Sequence, residues 1–214
     1  MADMSMNRVI HGAFRRDLDR FSEALSTLSG GARGVEQVSA AWANFQDQLT
    51  RHHLSEHRIA WPALRKAGIN DGLLTQFEAE HERMAAALES ADEAMRSLRD
   101  TPSGEHVNAA REAVAALHAA TAEHLDHEDA EFEPFFAEHE HTPELQEMRR
   151  AFARELSLPE TGMFFAWLQD GASSDDLAGL RQNVPGPVVS IISRVFGGKY
   201  RRTIAPAWKG QRAS

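Results

Sequence analysis

A chain of 214 residues without cysteine can form neither a disulfide nor a thiolate metal site, and 32 acidic against 23 basic residues argue against a general nucleic-acid binder. The length suits one domain of about 150 residues plus an appendage. No apolar run approaches the ~20 residues that span a bilayer, which predicts no transmembrane segment, and MADMSMNRVIHGAF lacks the apolar run and cleavage site of a leader, so a cytoplasmic location is expected.

Ala, Leu, Glu, Arg and Gln dominate, and apolar residues recur at spacings of three and four, the period of one helix face. The first helix is predicted over 7–28, with the seam His11, Phe14, Leu18, Phe21, Leu25 and Leu28, ended by Ser29-Gly30-Gly31. The second is predicted over 35–66, with the seam Val38, Trp42, Phe45, Leu49, His52, Glu56 and Ile59; Pro62 should kink or end it. The third covers 72–99 through Leu74, Phe77, His81, Met84, Leu88, Ala91, Met95 and Leu98. The fourth covers 105–139 through Val107, Ala110, Val114, Leu117, Thr121, His124, Glu128 and Glu131.

Four such helices on short connections predict an all-α fold, an up-down-up-down antiparallel four-helix bundle over residues 1–142, followed by a helical C-terminal extension over 143–214. In that extension 143–157 is a short amphipathic helix and 159–170 is apolar and aromatic. The last 38 residues hold seven Lys or Arg and no Asp or Glu, broken by Pro185, Pro187, Gly197 and Gly198. This basic end reads as a cap on the bundle, as a partner or dimer surface, or as a contact for anionic lipid. The chain is expected to be a monomer or a homodimer.

One pattern occurs twice. RHHLSEHRIAWPAL and EHLDHEDAEFEPFF each carry a His, a Glu four residues on and a Pro six beyond that: His52, Glu56, Pro62 and His124, Glu128, Pro134. A further His precedes each copy, His11 by 41 residues and His81 by 43. His11, His52, Glu56, His81, His124 and Glu128 occupy steps of the apolar seams, where an unpartnered carboxylate costs several kcal/mol. A cation removes that cost. Six nitrogen and carboxylate ligands exceed one tetrahedral zinc, whereas two bridging carboxylates suit a pair of ions, iron before others. Two bridging Glu and four His give about eight bonds of the roughly twelve that two octahedral ions need; an oxo or hydroxo bridge adds two and leaves about two for solvent or a small ligand.

His11 on the first helix, His52-x3-Glu56 on the second, Glu80-His81 on the third and His124-x3-Glu128 on the fourth resemble the hemerythrin-like, HHE cation-binding family over residues 7–140. The resemblance implies a non-haem di-iron centre that reacts with dioxygen, hydrogen peroxide or nitric oxide. The oxygen carriers of that family have two histidines one turn apart on the third helix, whereas here Phe77 and Ala85 stand four residues either side of His81. His53, one step off the seam, is the candidate replacement ligand. A less saturated centre has more room for peroxide, so peroxide decomposition is expected, with non-enzymatic binding or sensing of oxygen, nitric oxide or iron as the alternative. His57 and His127 flank the two Glu and read either as exposed residues or as partners that orient those carboxylates.

Overall fold

The computed structural model describes residues 4–28 and 31–209, and every regular element in them is helical. The order is α1 (Met6–Thr27), α2 (Ala32–Ser55), a π turn (Glu56–Ala60), α3 (Trp61–Ala67), α4 (Asp71–Asp100), α5 (Gly104–His139), α6 (Pro143–Ala153), α7 (Leu158–Gln169), α8 (Ser174–Asn183), α9 (Gly186–Phe196), α10 (Gly198–Thr203) and a final 3-10 turn (Ala205–Trp208). Side chains at the predicted boundaries close the helices. Ser5, Ser103 and Thr142 each accept from the backbone N–H three residues on, and Gly68 ends α3 at φ 95°. Of the predicted break after α1, Ser29 and Gly30 lie outside the described residues.

The four long helices pack as neighbours: α4 runs along α5, α1 lies against α5, and α2 touches both α4 and α1. Their seams face one core, with Phe14, Leu18, Phe21, Phe45, Leu49, Val114 and Leu117 fully buried. The same core takes Phe165, Trp167, Leu180, Tyr200 and Trp208 from the extension. A second core closes the other end, where Trp61, Leu64, Leu74, Phe77 and Phe132 meet Leu145 and Met148 of α6. This is where the two proline-containing segments come together. Pro62 lies in the first turn of α3, and Pro134 lies inside α5.

Two details of the seams differ from expectation. Glu131 is exposed and Phe132 takes the inward position, as a step of four from Glu128 dictates. On the second helix the chain neither ends nor breaks at Pro62; it widens one turn earlier. Trp61 N–H bonds to the Glu56 carbonyl, five residues back. Proline has no N–H and its ring collides with the carbonyl four residues back, here that of Arg58. The wide turn relieves that collision, and the freed carbonyls belong to exposed residues, His57 and Arg58. Trp61 rather than Ile59 thereby follows Glu56 on the inner face.

The extension docks through close backbone approach. A Cβ on Gly162 of α7 would collide with the Phe196 Cβ and stand 2.8 Å from the Ile192 carbonyl oxygen of α9. Gly162→Ala is therefore expected to cost about 1–3 kcal/mol, read as a lower urea midpoint with an unchanged slope.

Candidate metal centre

Seam spacing brings the polar steps of four helices to one level. α1 supplies His11, α2 His52 and His53, the π turn Glu56, α4 His81, and α5 His124 and Glu128. The i, i+4 pairs stack as expected: His52 Nε2 lies 3.1 Å from Glu56 Oε1, and His124 Nε2 lies 3.6 Å from Glu128 Oε2. Each carboxylate also meets a histidine from another helix, Glu56 at 3.4 Å from His81 Nε2 and Glu128 at 3.3 Å from His11 Nε2. His81 and His124 face each other through their Nε2 atoms at 3.0 Å.

Among the described residues two groups of ligand-type atoms result, each with all its atoms within 4.8 Å of one another. One is His53, His81 and His124; the other is His11, His52, Glu56 and Glu128. Either could hold a metal ion. His53 thus stands with His81 and His124, its ring stacked 4.3 Å from that of His81.

The atoms that converge lack partners. Among the described residues, both oxygens of Glu56, both of Glu128, and Nε2 of His11, His52 and His53 are buried without a hydrogen bond. Burial pushes Glu56 up to about 8 and also raises Glu128, which Glu56 raises further. Burial likewise holds His52 and His53 well below the usual imidazole range and lowers His81 and His124, so their lone pairs are open near neutrality. His11 goes the other way: burial lowers it, but Asp129 and Glu128 outweigh burial and bring it to about 9. A cation reverses the unfavourable part of this balance, because it takes neutral imidazole and ionised carboxylate as ligands.

The far nitrogens are held from behind. His11 donates Nδ1–H to Asp129 at 2.7 Å, and Arg15 holds the other Asp129 oxygen at 3.0 Å. His124 donates Nδ1–H to Glu80 at 2.8 Å, and His127 donates to the same carboxylate at 2.9 Å. These bonds turn Nε2 of His11 and His124 inward. His57 and His127 therefore do not orient Glu56 and Glu128: His57 sits 3.3 Å from His81 Nδ1, and His127 serves Glu80. Sequence reasoning missed Asp129, although it stands next to Glu128 and five residues after His124. Of the remaining histidines, His106 and His139 bond backbone carbonyls, while His118 and His141 pair with Asp19 and Glu140.

Aromatic rings wall the site. Trp61 lies parallel to His81 at 5.8 Å, Phe77 meets His124 edge-on at 5.9 Å, and Phe14 lies 5.3 Å from His52. One turn before His124 on the same seam, the fully buried Thr121 hydroxyl has no partner.

No curated protein and no solved structure matches the chain. A family model does, that of the hemerythrin HHE cation binding domain, over residues 8–136. The matched span takes up more than half of the chain and encloses all seven residues of the two groups, from His11 to Glu128. A helical chain that gathers histidines and glutamates from four helices in this way belongs to the hemerythrin HHE cation-binding family.

Proposed function

We propose that His11, His52, His53, His81 and His124, with Glu56 and Glu128 as bridges, hold two irons. Their frame would be an up-down-up-down antiparallel four-helix bundle of residues 1–142, capped by the extension 143–214. The observation that carries this reading is the set of buried, partnerless ligand atoms converging from separate helices. Orphaned buried acceptors cost about 1–3 kcal/mol each, and a cation satisfies them together. Oxygen and nitrogen donors without thiolate suit iron or manganese, and the family model is of a cation-binding domain. Two irons joined by an oxo or hydroxo bridge would supply redox steps and an exchangeable position for dioxygen, hydrogen peroxide or nitric oxide.

The activity we infer is decomposition of hydrogen peroxide, two peroxides giving one dioxygen and two waters. Asp129 and Glu80 fix the imidazoles of His11 and His124. Trp61, Phe77 and Phe14 keep bulk water out. Thr121 offers a buried hydroxyl to a bound ligand. One observation favours the alternative, non-enzymatic binding or sensing of oxygen, nitric oxide or iron. His53 stands beside His81 and His124 and makes about nine protein bonds rather than eight. With the oxygen bridge counted, about one of twelve positions is left. One position still suffices to admit peroxide.

The test uses iron-loaded protein. Elemental analysis is expected to give about two irons per chain, and an oxygen electrode to record dioxygen release on peroxide addition. A chain that keeps only one metal ion overturns the di-iron assignment. A di-iron chain that binds dioxygen reversibly and leaves peroxide intact overturns the enzyme in favour of the binding module.

A further inference from the structure

Charge is divided sharply along the chain. The last 38 residues hold seven of the 23 basic residues and none of the acidic ones; the preceding 176 hold the other 16 basic residues and all 32 acidic ones. The basic end includes α9 and α10, and α9 is apolar on two sides. Its inner side, with Val189 and Ser193 buried, packs on α7. Its outer side presents Val188, Ile191 and Val195, spaced three and four apart, with Ile191 and Val195 each 63 % exposed. Phe196 is exposed at the end of the same helix.

Cations border this stripe. Arg201 folds back from α10 and donates to the Ser193 and Arg194 carbonyls, both at 2.9 Å. Its guanidinium thereby sits next to Arg194, and Ile191, Arg194 and Arg201 line one shallow depression with Gln169, Ser190 and Ser193. Among the described residues, Arg194, Lys199, Arg201 and Arg202 form no ion pair with a carboxylate.

Exposed apolar residues in a row, bordered by unneutralised cations on a chain that is otherwise acidic, match one kind of surface. It is apolar beneath and anionic at the rim. We infer that the outer face of α9 docks on anionic phospholipid, with Val188, Ile191 and Val195 entering the boundary of headgroups and acyl chains and Arg194 and Arg201 taking a headgroup phosphate. No helix among the described residues is long and apolar enough to cross a membrane, so the contact is peripheral. The acidic remainder of the chain is repelled by the same surface, which sets one orientation: α9 toward the lipid. A surface potential acts within a Debye length, about 8 Å at physiological salt, and attracts each Lys or Arg there about fivefold.

The experiment is co-sedimentation of the full chain with vesicles of phosphatidylcholine alone and of phosphatidylcholine with 30 % phosphatidylserine. Binding is expected to the anionic vesicles, weakly or not at all to the neutral ones, and to fall steeply in 0.5 M salt. Arg194→Gln should weaken binding about fivefold. The double variant Ile191→Ser, Val195→Ser should reduce it at least tenfold while leaving the circular dichroism and metal content unchanged, because both side chains face outward. Absent binding to anionic vesicles at low salt overturns the inference, as does binding that the double variant leaves intact. Sedimentation velocity is run in parallel: a dimer that the double variant dissociates identifies a second copy as the occupant of this face and overturns the lipid. None of these outcomes depends on the iron chemistry.

Discussion

Replacing Glu128 by leucine is expected to stabilise the metal-free chain and to destabilise the iron-loaded one. Glu128 is fully buried on α5, neither of its oxygens has a hydrogen bond, and burial followed by the Glu56 charge raises its pKa. A carboxyl in that state opposes folding when no cation is present. A leucine of similar size removes the orphaned oxygens, and His11, 3.3 Å from Glu128, keeps its second carboxylate Asp129 at 2.7 Å, so no buried charge is left alone. The gain is about 1–3 kcal/mol, or roughly 2–4 °C in melting temperature per kcal/mol for a chain of this size. With iron the sign reverses. If Glu128 bridges two irons as proposed, its loss removes metal and with it the linkage stabilisation, about 2.7 kcal/mol when free metal stands at 100 times its dissociation constant. Calorimetry on both forms measures the pair of shifts. A lower melting temperature for metal-free Glu128→Leu would show that the carboxyl serves the fold by itself. His53→Ala provides the contrast: on the same proposal it removes a ligand to one ion only and should retain more iron than Glu128→Leu.

Trp167→Ala is the second large effect, and it acts outside the ligand set. The indole is fully buried, donates to Asp17 at 2.7 Å and lies 5.3 Å from the Phe14 ring, which also lies 5.3 Å from the His52 ring. Asp17 is itself buried and also meets Arg16 and Arg20. Truncation to alanine should cost about 3–5 kcal/mol, seen as a fall in the urea midpoint. Trp167→Phe keeps most of the apolar contact and loses the indole donor, so a cost of about 1–2 kcal/mol is expected. Equal costs for the two variants would place the whole effect in the Asp17 bond. Because Phe14 touches both rings, Trp167→Ala should also slow iron uptake, although every proposed ligand precedes Glu140.

The site was legible because it interrupts a rule. Histidine and glutamate on steps reserved for apolar residues are conspicuous, and seam spacing then brings them to one level. His53 was harder to read. It sits one step off the seam, and only the actual rotation of α2 relative to α4 brings its ring against His81. Asp129 and Glu80 were harder still, because an acid beside a seam looks like any solvated acid until its neighbour across the bundle is known. The four long helices could be read from period and breakers alone. The depth of the extension could not: Trp167, Trp208 and Tyr200 enter the main core through contacts more than a hundred residues apart in sequence, and no local pattern encodes such a distance.

The wide turn at Glu56–Ala60 has a consequence for chain length. Five residues there cover an arc that four cover in a regular helix, and the surplus falls on the outside, at His57 and Arg58. A variant lacking Arg58 would still aim the tryptophan inward, now four residues after the glutamate instead of five, but it would set the Pro62 ring against the His57 carbonyl. Residues on either side of this joint can therefore keep their places while the distance between them in sequence changes by one. A gapless comparison of this chain with such a shorter variant would then misalign every position after Arg58.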